Sequence, residues 1–311
     1  MKSNTQVATI KSYLSLIKFS HTIFAMPFAL IGFFLGTSHI SSSASSDLPL
    51  SPILNGSEGF ITKSLVLLLL VIFCMVFARS AAMGFNRWLD KHFDALNPRT
   101  AIREIPAGII SSNKALWFVI FSCIAFVICS ALINTLCFYL SFVALAVILG
   151  YSYTKRFTPL CHLILGLGLS LAPIGAYLAV TGEFAQLPIL FSLAVVFWVS
   201  GFDIIYALLD VDFDLSQRLH SIPAWLGKAK ALRVSEFLHL LSAICIVCAG
   251  IVGGFHLVYW LGACVFTGML VYQHSIVKPD DLRRVNLAFM TANGIASVVF
   301  SLFVITDLIA A

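Results

Sequence analysis

Residues 61–94 read ITKSLVLLLLVIFCMVFARSAAMGFNRWLDKHFD. Between 61 and 85 the only charges are Lys63 and Arg79, in a run otherwise rich in Leu, Val, Ile and Phe. About 20 apolar residues cross the hydrocarbon core as a helix, so 61–85 is expected to span a membrane. Asn86, Asp90 and Asp94 follow at once, spaced by four and four, which stacks them on one helix face. A second group closes another apolar run at 187–209: Asp203, Asp210 and Asp214, spaced by seven and four. An ionised carboxylate at the centre of a membrane helix costs about 2.5–3.5 kcal/mol. Left unpaired, these carboxylates together cost more than about 10 kcal/mol, comparable to the stability of an ordinary domain. A chain that keeps them has to neutralise them.

The rest of the chain follows the same logic. Of 311 residues, 60% are hydrophobic and only 11% are charged, whereas a soluble domain carries roughly 25% charged residues. An all-α, multi-pass integral membrane protein is implied, with lipid as its surroundings. Apolar runs long enough to span fall at 19–38, 61–85, 114–133, 135–153, 160–180, 187–209, 232–253, 255–275 and 285–306, which predicts nine transmembrane helices. The Ser/Pro/Gly-rich stretch 39–59 reads as an exposed loop, and 91–113 and 215–230 as longer polar connections. The first residues, MKSNTQVATIKSYLSLIKFS, lack the pattern of a cleaved signal: basic residues extend to Lys18 and no small-residue cleavage site follows a short apolar core.

Sidedness comes from Lys and Arg. With the N-terminus inside, 17 of the 19 Lys and Arg fall in the N-terminal arm or in the connections after the second, fourth, sixth and eighth spans. Lys63 alone falls outside, and Arg79 lies within a span. The N-terminus and both acidic groups are therefore expected on the cytoplasmic side, and the net charge of +5 requires no nucleic-acid partner. The acidic pairs repeat at an interval of 120 residues (210 − 90, 214 − 94), as a duplicated helix-end motif.

Hard oxygen ligands of this kind suit magnesium, which binds through one or two carboxylates together with substrate phosphates. The same side supplies matching cations: Arg99 and Arg103 in NPRTAIREIPAG, and Lys155 and Arg156 in YSYTKRFTP. Carboxylates, magnesium and guanidinium groups at one bundle mouth make a diphosphate clamp, with an apolar cavity above for an isoprenoid tail. The reaction this suits is ionisation of an allylic diphosphate, the cation being kept from water. Arg79 lies seven residues before Asn86, on the same face and deeper in the membrane. It is expected to meet the carboxylate of an aromatic acceptor or the diphosphate.

Other features read as structural. The eight cysteines, Cys245 and Cys248 included, are small packing residues in apolar runs. Histidines show no metal-ligand spacing, and only His220 merits a test. Asp212 is expected to point away from the site, and Asp280 and Asp281 to be solvated. Gly166, Gly168, Pro173, Gly175 and Gly182 mark close packing or a kink.

GFNRWLDKHFDALNPRT and GFDIIYALLDVDFD, with YSYTKRFT and LIKFSHTIFAMPFA, together resemble the UbiA superfamily of membrane prenyltransferases along almost the whole chain. The resemblance implies one transmembrane domain over 1–311, nine helices around a central cavity and cytoplasmic capping loops. It implies that Asn86, Asp90, Asp94, Asp210 and Asp214 hold magnesium or its waters. Asp203 and Tyr206 would line the site, Lys155 and Arg156 would hold diphosphate, and Lys18 and Arg79 would face the acceptor or the cavity wall. The implied activity is transfer of a polyprenyl group from polyprenyl diphosphate to 4-hydroxybenzoate in respiratory quinone (ubiquinone) biosynthesis, in a bacterial inner membrane or its equivalent. After Asp214 the chain reads LSQRLHSIPAWLG, with Arg218 and His220 where many relatives carry Gly and Lys. That leaves open prenylation of 1,4-dihydroxy-6-naphthoate in the futalosine route to menaquinone. A secondary transporter is the rival of another class, but its charges belong near the midplane.

Overall fold

The computed structural model describes residues 9–18, 22, 24–42 and 60–310. The loop expected at 39–59 and the start of the first span lie largely outside these. The helices are α1 (Ile10–Leu16), α2 (Met26–Ser42), α3 (Phe60–Leu89), α4 (Lys91–Leu96), α5 (Ser112–Ile133), α6 (Thr135–Thr154) and α7 (Cys161–Thr181). They continue with α8 (Gln186–Ala207), α9 (Val211–Ser216), α10 (Ile222–Leu226), α11 (Lys228–Val252), α12 (Leu257–Ile276) and α13 (Asn293–Ala310). Among the described residues, 7 helices are long and apolar enough to cross a membrane, and Met26–Ser41 is a shorter apolar helix. Seven of the nine expected spans thus fall on helices of that kind, while the first falls in part on the shorter α2 and the eighth on α12, which is not among the seven. α3 runs past the expected end at 85 through Asn86 to Leu89, and α11 starts at Lys228 rather than 232 because Gly227 (φ +77°) turns the chain there.

The long helices contact one another in chain order, α2 on α3, α3 on α5, and so on to α13, which returns to α2. A further contact, α2 against α7, crosses this ring. It is possible because Gly32 lets the backbones touch: a Cβ there would lie 2.0 Å from the Pro173 carbonyl oxygen. Small residues at such crossings are what membrane helices use in place of a hydrophobic driving force. Gly166 does the same between α7 and α8, where a Cβ would meet the Val196 carbonyl at 2.4 Å. Gly182 (φ +71°) ends α7.

The α2–α7 crossing makes the interior asymmetric. On one side, Phe28, Phe191, Trp198, Tyr259, Phe266 and Phe300 fill the space solidly. Buried polar groups there form a cluster: Asn293 accepts from Trp198 Nε1 and from Gln273 Nε2, both at 2.8 Å. Its own amide donates to the carbonyls of Ala288 and Phe289, inside a π-helical turn at Leu287–Ala292 that precedes α13. On the other side, between α3, α5, α6, α7 and the end of α8, lies a cavity of about 840 Å³. The expected central cavity is thus off-centre, because one half of the ring is occupied by aromatic side chains. The eight cysteines are all free.

Candidate active site

Both acidic motifs sit where a long helix breaks. α3 ends at Leu89, Asp90 takes φ −90° and ψ 9°, and α4 begins at Lys91. α8 ends at Ala207, a 3₁₀ turn covers Leu208–Asp210, Asp210 takes φ −110° and ψ 5°, and α9 begins at Val211. The breaks are mild. Asp90 N–H still bonds the Asn86 carbonyl at 2.9 Å, and Asp94 N–H the Asp90 carbonyl at 2.8 Å. The first motif therefore keeps its four-residue stacking through the break.

Each motif is neutralised by cations from other elements. Asp90, 3% exposed, pairs with Lys155 at 3.6 Å and Arg156 at 3.2 Å, both just after α6. Asp94, also buried, pairs with Arg103 at 2.6 Å and Arg87 at 3.8 Å. Arg99 reaches from the segment after α4 to the second motif. It donates through Nε to Asp210 Oδ1 at 3.1 Å, through Nη2 to Asp210 Oδ2, and through Nη1 to the Tyr206 hydroxyl at 2.9 Å. Burial works against the Arg99 charge, but Asp210 and Tyr206 outweigh it and raise its pKa. Asn97 adds a bond to Asp210 at 3.3 Å. Asp214 is held instead by a neutral donor, Ser221 Oγ at 2.8 Å.

The cavity brings together Asn86 and the carboxylates of Asp90, Asp94, Asp203, Asp210 and Asp214. Arg99, Arg103 and Lys155 line it too, as do Arg79, Lys18 and Tyr206. Arg156 does not line it: it grips Asp90 from behind, donating also to the Leu89 carbonyl at 3.2 Å. Asp212 is exposed, as expected from its offset. The Asp281 side chain pairs with Arg283 in a surface turn, where its backbone also bonds Lys278. Arg79 donates to the Lys18 carbonyl at 3.2 Å, and among the described residues its Nε, like Thr22 Oγ1, is buried without a partner.

Three residues of the site went unread in the sequence. Arg87 lines the cavity with its Nε buried and unpartnered. Its spacing of seven from Asp94 is the same signal that singled out Arg79. Tyr151 also lines the cavity. His162 is 3% exposed and bonds Asp203, and no metal-type spacing points to it. His220, by contrast, lines the mouth with an exposed side chain, and its backbone N–H donates to the Lys155 carbonyl at 2.6 Å.

Among the described residues no three acidic, imidazole or thiol side chains converge as a pre-built metal site; the carboxylates turn toward their cations instead. The donor set nonetheless fits magnesium. It consists of hard oxygens, and Asp94 Oδ2 is buried with no hydrogen-bond partner.

Multi-pass apolar helices enclosing an acid- and cation-lined cavity define a membrane enzyme of the prenyltransferase type. The model of the UbiA prenyltransferase family matches residues 54–295, and the chain belongs to that family. The 4-hydroxybenzoate octaprenyltransferase of Photobacterium profundum is 30% identical over 234 residues, covering 74% of this chain and 81% of that protein. The enzyme of the same name from Nitrosospira multiformis is 29% identical over 247 residues, covering 79% and 84%. Among solved structures, the apo UbiA homolog from Aeropyrum pernix K1 superposes with a TM-score of 0.74 at 28% identity, over 93% of this chain and 97% of that one. A UbiA homolog from Archaeoglobus fulgidus, bound to DMAPP and Mg2+, has a TM-score of 0.69 at 19% identity, over 96% and 100%, and shares the fold. The chain is an enzyme, a polyprenyltransferase, and the transporter alternative falls away.

Proposed function

We propose that this enzyme transfers a polyprenyl group from polyprenyl diphosphate to the ring of 4-hydroxybenzoate, within respiratory quinone synthesis. The observation that carries this is the convergence of two acidic motifs and their cations on one end of an otherwise apolar cavity. The relatives named above support the acceptor. Arg99, Arg103 and Lys155 are already in the cavity, each paired to a carboxylate, and are placed to donate hydrogen bonds to the diphosphate oxygens. The allylic C–O bond then breaks with its electron pair on the diphosphate, and the apolar walls keep water from the cation. Asn86, Asp90, Asp94, Asp210 and Asp214 would hold magnesium, which when bound would supply Lewis-acid neutralisation of that leaving group. Arg79, whose Nε lacks a partner, together with Lys18 and Tyr206, receives the acceptor's carboxylate and ring. One domain over 1–311 with nine spans, and with N-terminus and active-site loops on the cytoplasmic side of a bacterial inner membrane, completes the reading.

The test uses membranes holding the enzyme, a labelled polyprenyl diphosphate and either 4-hydroxybenzoate or 1,4-dihydroxy-6-naphthoate, with the product identified by mass. Prenylated 4-hydroxybenzoate is expected, and Asp90→Ala or Asp210→Ala abolishes it while the protein still purifies folded. Full activity in either variant would remove the clamp assignment.

A further inference from the structure

His162 opens α7 and is buried, yet neither acidic motif accounts for it. Its ring joins two elements. Nδ1 lies 2.7 Å from Oδ2 of Asp203 on α8, and Nε2 accepts a hydrogen bond from the Ile222 backbone N–H at 3.3 Å. With Nε2 accepting, the proton sits on Nδ1 and the imidazole donates to the carboxylate. The His162 backbone is fixed too, its carbonyl accepting from Ser200 Oγ on α8 at 3.1 Å.

Asp203, like Asp214, forms no ion pair with Arg or Lys among the described residues. Asp90, Asp94 and Asp210 each pair with Arg or Lys. Among the described residues, Asp203 has His162 as its only hydrogen-bond partner. It lines the cavity with a side chain 24% exposed. Tyr151, Arg79 and Asp203 all line this one cavity, so Asp203 faces the chamber where Arg79 awaits the acceptor. A carboxylate held by a neutral donor keeps more of its basicity than one paired to a guanidinium.

We propose that His162 is a positioning residue that holds Asp203 as the proton acceptor for the aromatic substrate, an inference that rests on the prenyl-transfer reading above. The ring's π pair forms the new C–C bond as the allylic C–O bond breaks with its electrons on diphosphate. The ring C–H bond then breaks, its electron pair restores aromaticity, and the proton passes to Asp203 Oδ1. Oδ2 stays bonded to His162 Nδ1–H throughout. Asp203 returns the proton to water as product leaves.

The test compares ring-protonated with ring-deuterated 4-hydroxybenzoate in wild type, His162→Leu, His162→Gln and Asp203→Asn. Wild type is expected to show an isotope effect on kcat near unity. His162→Leu fills the space without a donor. It should lose kcat by about 10- to 100-fold, within the range of a positioned base, with KM for both substrates little changed. Its isotope effect should become primary as proton removal turns rate-limiting. His162→Gln, whose amide can still donate to Asp203, should recover most of kcat and the small isotope effect. Should the Leu variant fail to fold, Asp203→Asn carries the same isotope signature and Gln the same rescue. Loss of kcat without an isotope effect, or KM rising in step, overturns the positioning role. Diphosphate release by wild type without any prenylated aromatic acid overturns the reading beneath it as well.

Discussion

Asp94 shows at a single residue how this site stores charge. Its side chain is 8% exposed and sits between Arg87 and Arg103, so removing it strands Arg87, itself 5% exposed, in the interior. Breaking a buried pair costs about 3–5 kcal/mol. Asp210 and Arg99 are 22% and 33% exposed, and partly solvated pairs are worth about 1 kcal/mol or less. Asp94→Ala is therefore expected to lower the thermal unfolding midpoint in detergent well below that of Asp210→Ala, although both lose activity. Equal midpoints would show that Asp94 is not structurally clamped. Arg79 answers to a different measurement. Arg79→Ala should chiefly raise the apparent KM for the aromatic acid, and an unchanged KM would move the acceptor elsewhere. The acidic residues and four of their cations were legible in the sequence because charge is rare in an apolar chain. His162 was not, since a lone histidine at a helix start carries no pattern until Asp203 of another helix is placed beside it.

At the scale of elements, the segment from α9 to α10 latches the mouth. Leu219 N–H bonds the Asp214 carbonyl at 2.8 Å, His220 N–H bonds the Lys155 carbonyl, and Ser221 caps α10 while holding Asp214. Arg218 takes φ +53° to make this turn, a left-handed conformation that costs a residue with a Cβ about 1–2 kcal/mol. Glycine avoids that cost and gives part of it back as chain entropy, about 0.5–1 kcal/mol. Arg218→Gly is expected to leave stability unchanged or raise it by up to about 1 kcal/mol. Arg218→Val should lower it, both read as unfolding midpoints. A destabilised Gly variant would mean that the Arg218 side chain, not the backbone, matters here. The sequence flagged 218 and 220 as departures from the resembled pattern, but their backbone geometry could not be read from composition. Likewise the equal spacing of the acidic residues was visible, whereas the helix breaks at Asp90 and Asp210 were not, because no proline or glycine marks them.

At the scale of the molecule, the α2–α7 crossing divides a solid aromatic half from a hollow one, and the hollow half sets which donors fit. Hydrophobic runs marked the expected spans. They could not show the crossing, which depends on Gly32 meeting Pro173 from a distant helix. Along the hollow side, α7 offers small residues: Gly168, Gly175 and Ala176 all line the cavity. Gly175 lies 13 residues beyond His162 (175 − 162), about 20 Å along the helix, far from the diphosphate end. A Cβ on Gly175 would meet nothing within 4 Å, so a large side chain there enters open space rather than packed atoms. Gly175→Phe should therefore fold as well as wild type, aided by about 0.3–0.5 kcal/mol of helix propensity, while its ring blocks the path of a long tail. Transfer from geranyl diphosphate should persist and transfer from octaprenyl diphosphate should fall steeply, measured side by side with the same acceptor. If both donors suffer equally, the tail does not run along α7 and must leave the site by another route, between helices into lipid.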